Sequence, residues 1–119
     1  MRVLVCDDEP DIRLLYRSAF EVEGADVAVA EDGDRALEVA RAWLPDLVVL
    51  DLKMPRRDGV SALPEFADAC PHAVVLVVSA HLPVDQFGRM RELGARECFD
   101  KLDFLNRIPT LMARYGAAA

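Results

Sequence analysis

Short apolar runs alternate with helical patterns along the whole chain. Val3 to Cys6 is strand-sized and ends in Asp7-Asp8. Ile12, Leu15, Tyr16, Ala19 and Phe20 then recur at the three-and-four spacing of an amphipathic helix. Pro10 suits its first turn, where the missing N–H costs nothing, and Gly24 marks its end. Asp26 to Ala30 predicts a second strand. Asp32 or Asp34 can cap a helix carrying Ala36, Leu37, Ala40 and Leu44 that stops before Pro45. Leu47 to Leu50 and Val74 to Val78 are continuous, β-rich runs, the pattern of strands buried on both faces. Phe87, Met90 and Leu93 predict a helix closed by Gly94. Glu97 to Asp100 gives a fifth short strand, and Leu105, Ile108, Leu111, Met112 and Tyr115 a last helix.

Five strands alternating with five helices predict an α/β fold, a parallel sheet covered on both faces. Two prolines disturb the pattern. Pro64 lies inside the third helical pattern, which should start late or bend there. Pro109 interrupts the last helix, and falls in a tolerated first turn if Asn106 is the cap. The 119 residues read as a single domain, 1–119, with Gly116 to Ala119 as a frayed tail.

Composition narrows the functional classes. Hydrophobic residues make up 53% of the chain, enough for a core without staples. The net charge of −7 repels phosphate backbones, so no nucleic acid is expected as a partner of this chain alone. No apolar run approaches a membrane span and no signal-peptide layout opens the chain, so a cytoplasmic location is expected. Cys6, Cys70 and Cys98 are odd in number and widely spaced, which predicts free thiols. His72 and His81 are too scattered for a metal cluster. Trp43 ends the second helical pattern and reads as structural.

In an open parallel sheet, ligands bind at the carboxyl ends of the strands. Asp7, Asp8 and Glu9 follow the first strand, Asp51 the third, Ser79 the fourth and Lys101 the fifth. Singly, an acidic triplet caps a helix, a serine does the same, a lysine is a surface charge and Phe99 is core. Together they fall on one edge of the sheet. Clustered carboxylates repel unless a cation joins them. Mg²⁺ favours oxygen ligands, binding one or two carboxylates plus phosphate oxygens. Lys101 then supplies a point charge for a phosphate-like anion and Ser79 a hydrogen-bond donor, with Asp51 as the nucleophile of a phosphoryl transfer.

The residues Asp7-Asp8-Glu9, the stretch from Asp51 through Met54-Pro55 to Asp58-Gly59, Ser79-Ala80 and Phe99-Asp100-Lys101 together resemble the motif set of response-regulator receiver domains. The resemblance runs from about Arg2 to Tyr115 and also takes in Gly94-Ala95. It implies a flavodoxin-like sheet in the order 2-1-3-4-5 with helices on both faces. It implies Asp51 as phosphoacceptor, with Mg²⁺ held by Asp8, Asp51 and the backbone carbonyl of Lys53, and by Asp7 largely through water. Lys101, Ser79 and the Ala80 N–H would hold the phosphoryl oxygens, and Phe99 would be a rotating aromatic switch. The phosphoryl donor would be a sensor histidine kinase or a phosphotransfer protein. A downstream protein would read the face formed by the fourth helix, fifth strand and fifth helix. Such a chain is a signalling phosphoacceptor, not an enzyme in the ordinary sense, and acts as a stand-alone receiver or relay. The alternative is the N-terminal receiver of a longer regulator with a DNA-binding or enzymatic output domain.

An aspartyl-phosphate hydrolase would want a second Asp two residues after the nucleophile; Lys53 stands there. Lys53 and His81 occupy positions that tune dephosphorylation in the family. The family lysine is usually followed by proline, often through a cis bond. Here Leu102 follows, and a cis bond would cost about 3–4 kcal/mol. A trans Lys101–Leu102 bond is expected, with a rearranged loop after the fifth strand, a helix capped by Asp103 or Asn106, and Lys101 still aimed at Asp51.

Overall fold

The computed structural model describes residues 1–80 and 82–116. Five strands, β1 (Arg2–Cys6), β2 (Asp26–Ala30), β3 (Leu47–Asp51), β4 (Val74–Ser79) and β5 (Glu97–Asp100), form one sheet. Every pairing is parallel, and the order is β2-β1-β3-β4-β5. The expected fold is therefore observed.

Side chains alternate across each strand, so each strand feeds two cores. Val3, Val5, Leu47, Val49, Leu76 and Val78 face one side, under α1 (Pro10–Val22) and α5 (Lys101–Gly116). Leu4, Cys6, Val48, Leu50, Val75 and Val77 face the other. That side is covered by α2 (Gly33–Trp43), the broken helix α3 and the short helix α4. Helix α3 comprises Gly59–Ala62, a 3-10 turn Leu63–Glu65 and Phe66–Ala69. Helix α4 comprises a 3-10 turn Val84–Gln86 and Phe87–Glu92. Burial on both faces is why β3 and β4 read as unbroken apolar runs.

The turn residues act as their chemistry predicts. Asp32 caps α2, its carboxylate accepting from the Arg35 N–H at 2.9 Å. Asp58 caps α3 through the Ser61 N–H at 2.8 Å. Pro64 sits in the 3-10 turn that breaks α3. The three cysteines are free.

The last helix corrects the expectation. It does not wait for Asp103 or Asn106 but begins at Lys101, directly after β5, and carries Pro109 inside it. Proline at 109 leaves the Leu105 carbonyl without its helical donor. Pro109 is exposed, so water can take that place, while Phe104, Ile108, Leu111 and Met112 keep the buried stripe continuous. All described peptide bonds are trans, Lys101–Leu102 included, and no loop intervenes between strand and helix. Gly116, expected in the frayed tail, is helical; the rest of that expected tail and His81 lie outside the described residues.

The segment between β3 and α3 is fastened at both ends. The Gly59 N–H donates to the Leu52 carbonyl at 3.0 Å, and the Gly33 N–H to the Arg57 carbonyl at 2.8 Å. A Cβ on Gly59 would overlap the Asp51 carbonyl and stand 2.8 Å from the Leu52 Cα. This backbone, directly behind the Asp51 side chain, cannot yield cheaply. Gly59→Ala should therefore cost about 1–3 kcal/mol, as overpacking does, and lower Tm by roughly 5–10 °C. Gly88, whose Cβ would meet nothing within 4 Å, is the control: Gly88→Ala should hold or raise Tm. Thermal unfolding of the two variants checks this; equal Tm values for both would contradict the steric account.

Candidate functional site

Asp51 closes β3 at the centre of the sheet and continues the row of Leu47 and Val49. It is 3% exposed, and Asp7, just past the end of β1, is 2% exposed. The registers Cys6↔Leu50 and Asp51↔Val78 bring the ends of β1, β3 and β4 level. One carboxylate oxygen from each of Asp7, Asp8 and Asp51 lies within 4.8 Å of the others. Among the described residues this is the only acidic, histidine or cysteine group so placed. Asp8, unlike Asp7, is exposed, so the cluster has a dry side and a wet side.

Lys101 answers the buried charge. Its Nζ stands 2.9 Å from Asp7 Oδ2, 3.2 Å from Asp51 Oδ2 and 3.4 Å from Glu9 Oε1. Further donors fix the carboxylates: the Glu9 N–H reaches Asp7 Oδ1 at 2.9 Å and the Lys53 N–H reaches Asp51 Oδ1 at 3.3 Å. Burial, reinforced by the Asp7 charge, nevertheless pushes the Asp51 carboxyl up to about 6, against the pull of Lys101. Burial likewise raises Asp7. For Lys101, burial opposes the charge, but the hydrogen bonds and charges of Asp7 and Asp51 outweigh it and hold the ammonium above the usual lysine range. One ammonium among three carboxylates leaves the site short of positive charge.

The remaining sequence candidates surround this centre. Ser79 ends β4 and is buried; Ala80 follows it on the surface. Phe99 stands level with Val78 on β5, half-buried, with its ring edge-on to Phe104 at 5.4 Å. Lys53 is exposed on the segment after β3. The structure thus brings Asp7, Asp8, Asp51 and Lys101 into direct proximity, with Ser79, Ala80, Lys53 and Phe99 on the same sheet edge.

Sequence reasoning missed several supports. The Tyr16 hydroxyl donates to the Lys101 carbonyl at 3.4 Å, and burial raises that phenol to about 12. Arg56, in left-handed backbone with φ 61°, pairs with the buried Asp32 carboxylate at 2.7 Å. Arg57 pairs with Glu65 and, at 3.7 Å, with Asp34. These two arginines tie the segment after Asp51 to α2 and α3. Their adjacency to the Asp58 cap was the available signal, but the acidic partners come from elsewhere in the chain.

The comparisons with known proteins agree with this geometry. The family model described as response regulator receiver domain matches residues 3–110. The chain is 38% identical over 105 residues to protein-glutamate methylesterase/protein-glutamine glutaminase 1 of Geobacter sulfurreducens, covering 87% of this chain but 26% of that protein. It therefore spans about a quarter of the length of such relatives. It is 31% identical over 114 residues to sporulation initiation phosphotransferase F of Bacillus subtilis, covering 96% of this chain and 92% of that one. Among solved structures, the receiver domain of the Francisella response regulator 1452 superposes with a TM-score of 0.82 at 28% identity, over 95% of this chain and 97% of that one. NtrX from Brucella abortus gives 0.85 at 30% identity, over 96% of this chain and 26% of that one. With its sheet order, its acidic edge and its lysine in place, this chain belongs to the response regulator receiver domain family.

Proposed function

We propose that this chain is a Mg²⁺-dependent phosphoacceptor switch that takes a phosphoryl group onto Asp51. The observation that carries the reading is a buried carboxylate at the end of the central strand, with Asp7 and Asp8 beside it and one lysine among them. The donor is a phosphohistidine on a sensor histidine kinase or phosphotransfer protein, and the setting is cytoplasmic. No described helix is long and apolar enough to cross a membrane.

The donor set fits magnesium. It is all oxygen, short of positive charge, and open to solvent on the Asp8 side. Asp8, Asp51 and the Lys53 carbonyl would hold the ion directly, and Asp7 through water. When bound, the ion neutralises the carboxylates and withdraws charge from the transferring phosphoryl group.

The protein groups do the rest. An Asp51 carboxylate oxygen attacks phosphorus in line. The P–N bond to the donor imidazole breaks as the O–P bond of an aspartyl phosphate forms, and the imidazole leaves with the bonding pair and is protonated. Lys101, held cationic by its neighbours, takes a phosphoryl oxygen. The Ser79 hydroxyl and Ala80 N–H donate to the others. Drawing Ser79 inward frees space for Phe99 to turn, which alters the face of α4, β5 and α5 read by a downstream protein. A receiver or relay role is the reading that the match to the Bacillus phosphotransferase supports, 92% of which the chain covers. A second reading, the receiver of a longer regulator, is favoured by relatives of which the chain spans a quarter.

Acetyl phosphate with Mg²⁺ should add one phosphoryl group, visible by intact mass. Chelator should abolish it, and Asp51→Asn should reduce it to background. Full-yield phosphorylation of Asp51→Asn would overturn the assignment.

The raised Asp51 carboxyl also sets a pH dependence. Its folded value, about 6, lies above the unfolded one. Its contribution to metal-free stability is therefore complete below the ordinary carboxylate range and is lost as pH rises through about 6. Over the same window the proton stops competing with a cation. The rise in Tm produced by Mg²⁺ should therefore grow between pH 5 and pH 7 and flatten above. Differential scanning fluorimetry with Mg²⁺ and with chelator measures it; a larger Mg²⁺ effect at pH 5 than at pH 7 would refute this electrostatic account.

A further inference from the structure

The aim of Lys101 needs a cause. It is the first residue of α5, with no loop between it and β5. A first-turn residue whose backbone N–H neighbours lack partners frays, because the opening N–H groups of a helix have no carbonyl to bond. Here one of them is met: the Leu102 N–H donates to the Asp100 Oδ1 at 2.8 Å. Asp100, the last residue of β5 and level with Ser79, thus stands as the cap of α5. The Leu102 side chain is 91% exposed and packs nothing; what this position contributes is its N–H. A proline, having none, could not be held this way.

The bond links two requirements. It fixes the chain direction where strand becomes helix, and so fixes the Lys101 Cα–Cβ vector. From that origin the side chain reaches Asp7, Asp51 and Glu9 together. The Tyr16 hydroxyl, on the Lys101 carbonyl at 3.4 Å, is a second and longer tie. Asp103, in the same turn, points elsewhere: it pairs with Arg107 at 3.1 Å.

We propose that Asp100 is the positioning residue for Lys101: by capping α5 on the Leu102 N–H, it aims the ammonium at Asp51. The inference rests on Lys101 holding the phosphoryl group. The cap needs an acceptor oxygen, not a charge, so Asn should serve and Ala should not.

The experiment compares phosphorylation rates with acetyl phosphate and Mg²⁺ for the full chain and for Asp100→Ala, Asp100→Asn, Asp103→Ala and Lys101→Ala. Asp100 is exposed, and circular dichroism checks that each variant is folded. The ¹⁵N resonance of the Lys101 ammonium reports its contacts. Asp100→Ala should slow phosphorylation by about five- to tenfold, in keeping with loss of a cap, and broaden or lose the ammonium signal. Asp100→Asn should retain both rate and signal, and Asp103→Ala should match the parent. Wild-type rate in Asp100→Ala beside a slow Lys101→Ala would overturn the positioning role alone. Equal slowing by Asn and Ala would overturn the cap as its cause. Wild-type rate in Lys101→Ala would remove the phosphoryl-binding role of Lys101, and this inference with it, while leaving Asp51 as acceptor.

Discussion

Two buried carboxylates, Asp7 and Asp51, end neighbouring central strands and face each other across the sheet edge. Like charges in a dry site are costly, and a fold keeps them only with a counter-charge in place. Lys101 is that counter-charge, delivered from the far end of the chain. The rest of the architecture can be understood as what holds these groups at bonding distance. The parallel registers bring β1 and β3 level, the close approach of Gly59 backs the Asp51 carbonyl, and α5 starts where it must for the lysine to reach.

A single ammonium serves two buried acids and an exposed third, Glu9. The site is therefore satisfied in geometry and unsatisfied in charge. Local hydrogen bonds from Glu9 and Lys53 orient the carboxylates without neutralising them. Such a centre is short of positive charge even with Lys101 at hydrogen-bonding distance. The arginine ties of Arg56 and Arg57 act at the next remove. They hold the segment after Asp51 against Asp32, Asp34 and Glu65, and the left-handed backbone at Arg56 persists because a buried acid takes its guanidinium.

Much of this was legible in the sequence. β3 and β4 announce themselves as unbroken apolar runs because both their faces are covered, and the residues after each strand name the site because topology puts them on one edge. Asp32 is readable as a cap since its partner lies three residues on; Asp58, read only as a motif and turn residue, caps α3 by the same geometry. What was not legible depends on distant partners. Lys101 read as a holder of an anion, yet it also pairs with Asp7 and Asp51, a contact between residues far apart in the chain. The start of α5 was misplaced because Pro109 suggested a helix beginning near Asn106. A long buried stripe from Phe104 to Met112 overrides that local penalty, and the exposed side of the helix absorbs the missing bond. Tyr16 read only as a core residue; that its hydroxyl meets the Lys101 carbonyl follows from the packing of α1 against α5.

The direct fusion of β5 to α5 has a mechanical meaning. With no slack between Asp100 and Lys101, the lysine sits at the pivot of a 16-residue helix, about 24 Å long. A tilt of about 5° at the pivot moves the far end by roughly 2 Å over that length. Pro109, midway, removes one rung of the ladder within this continuous helix. The half nearest Lys101 is anchored by the buried Phe104 and Ile108. The far half carries Arg114 and Tyr115 bound to Glu97, so a tilt of the helix would be felt at the base of the same strand.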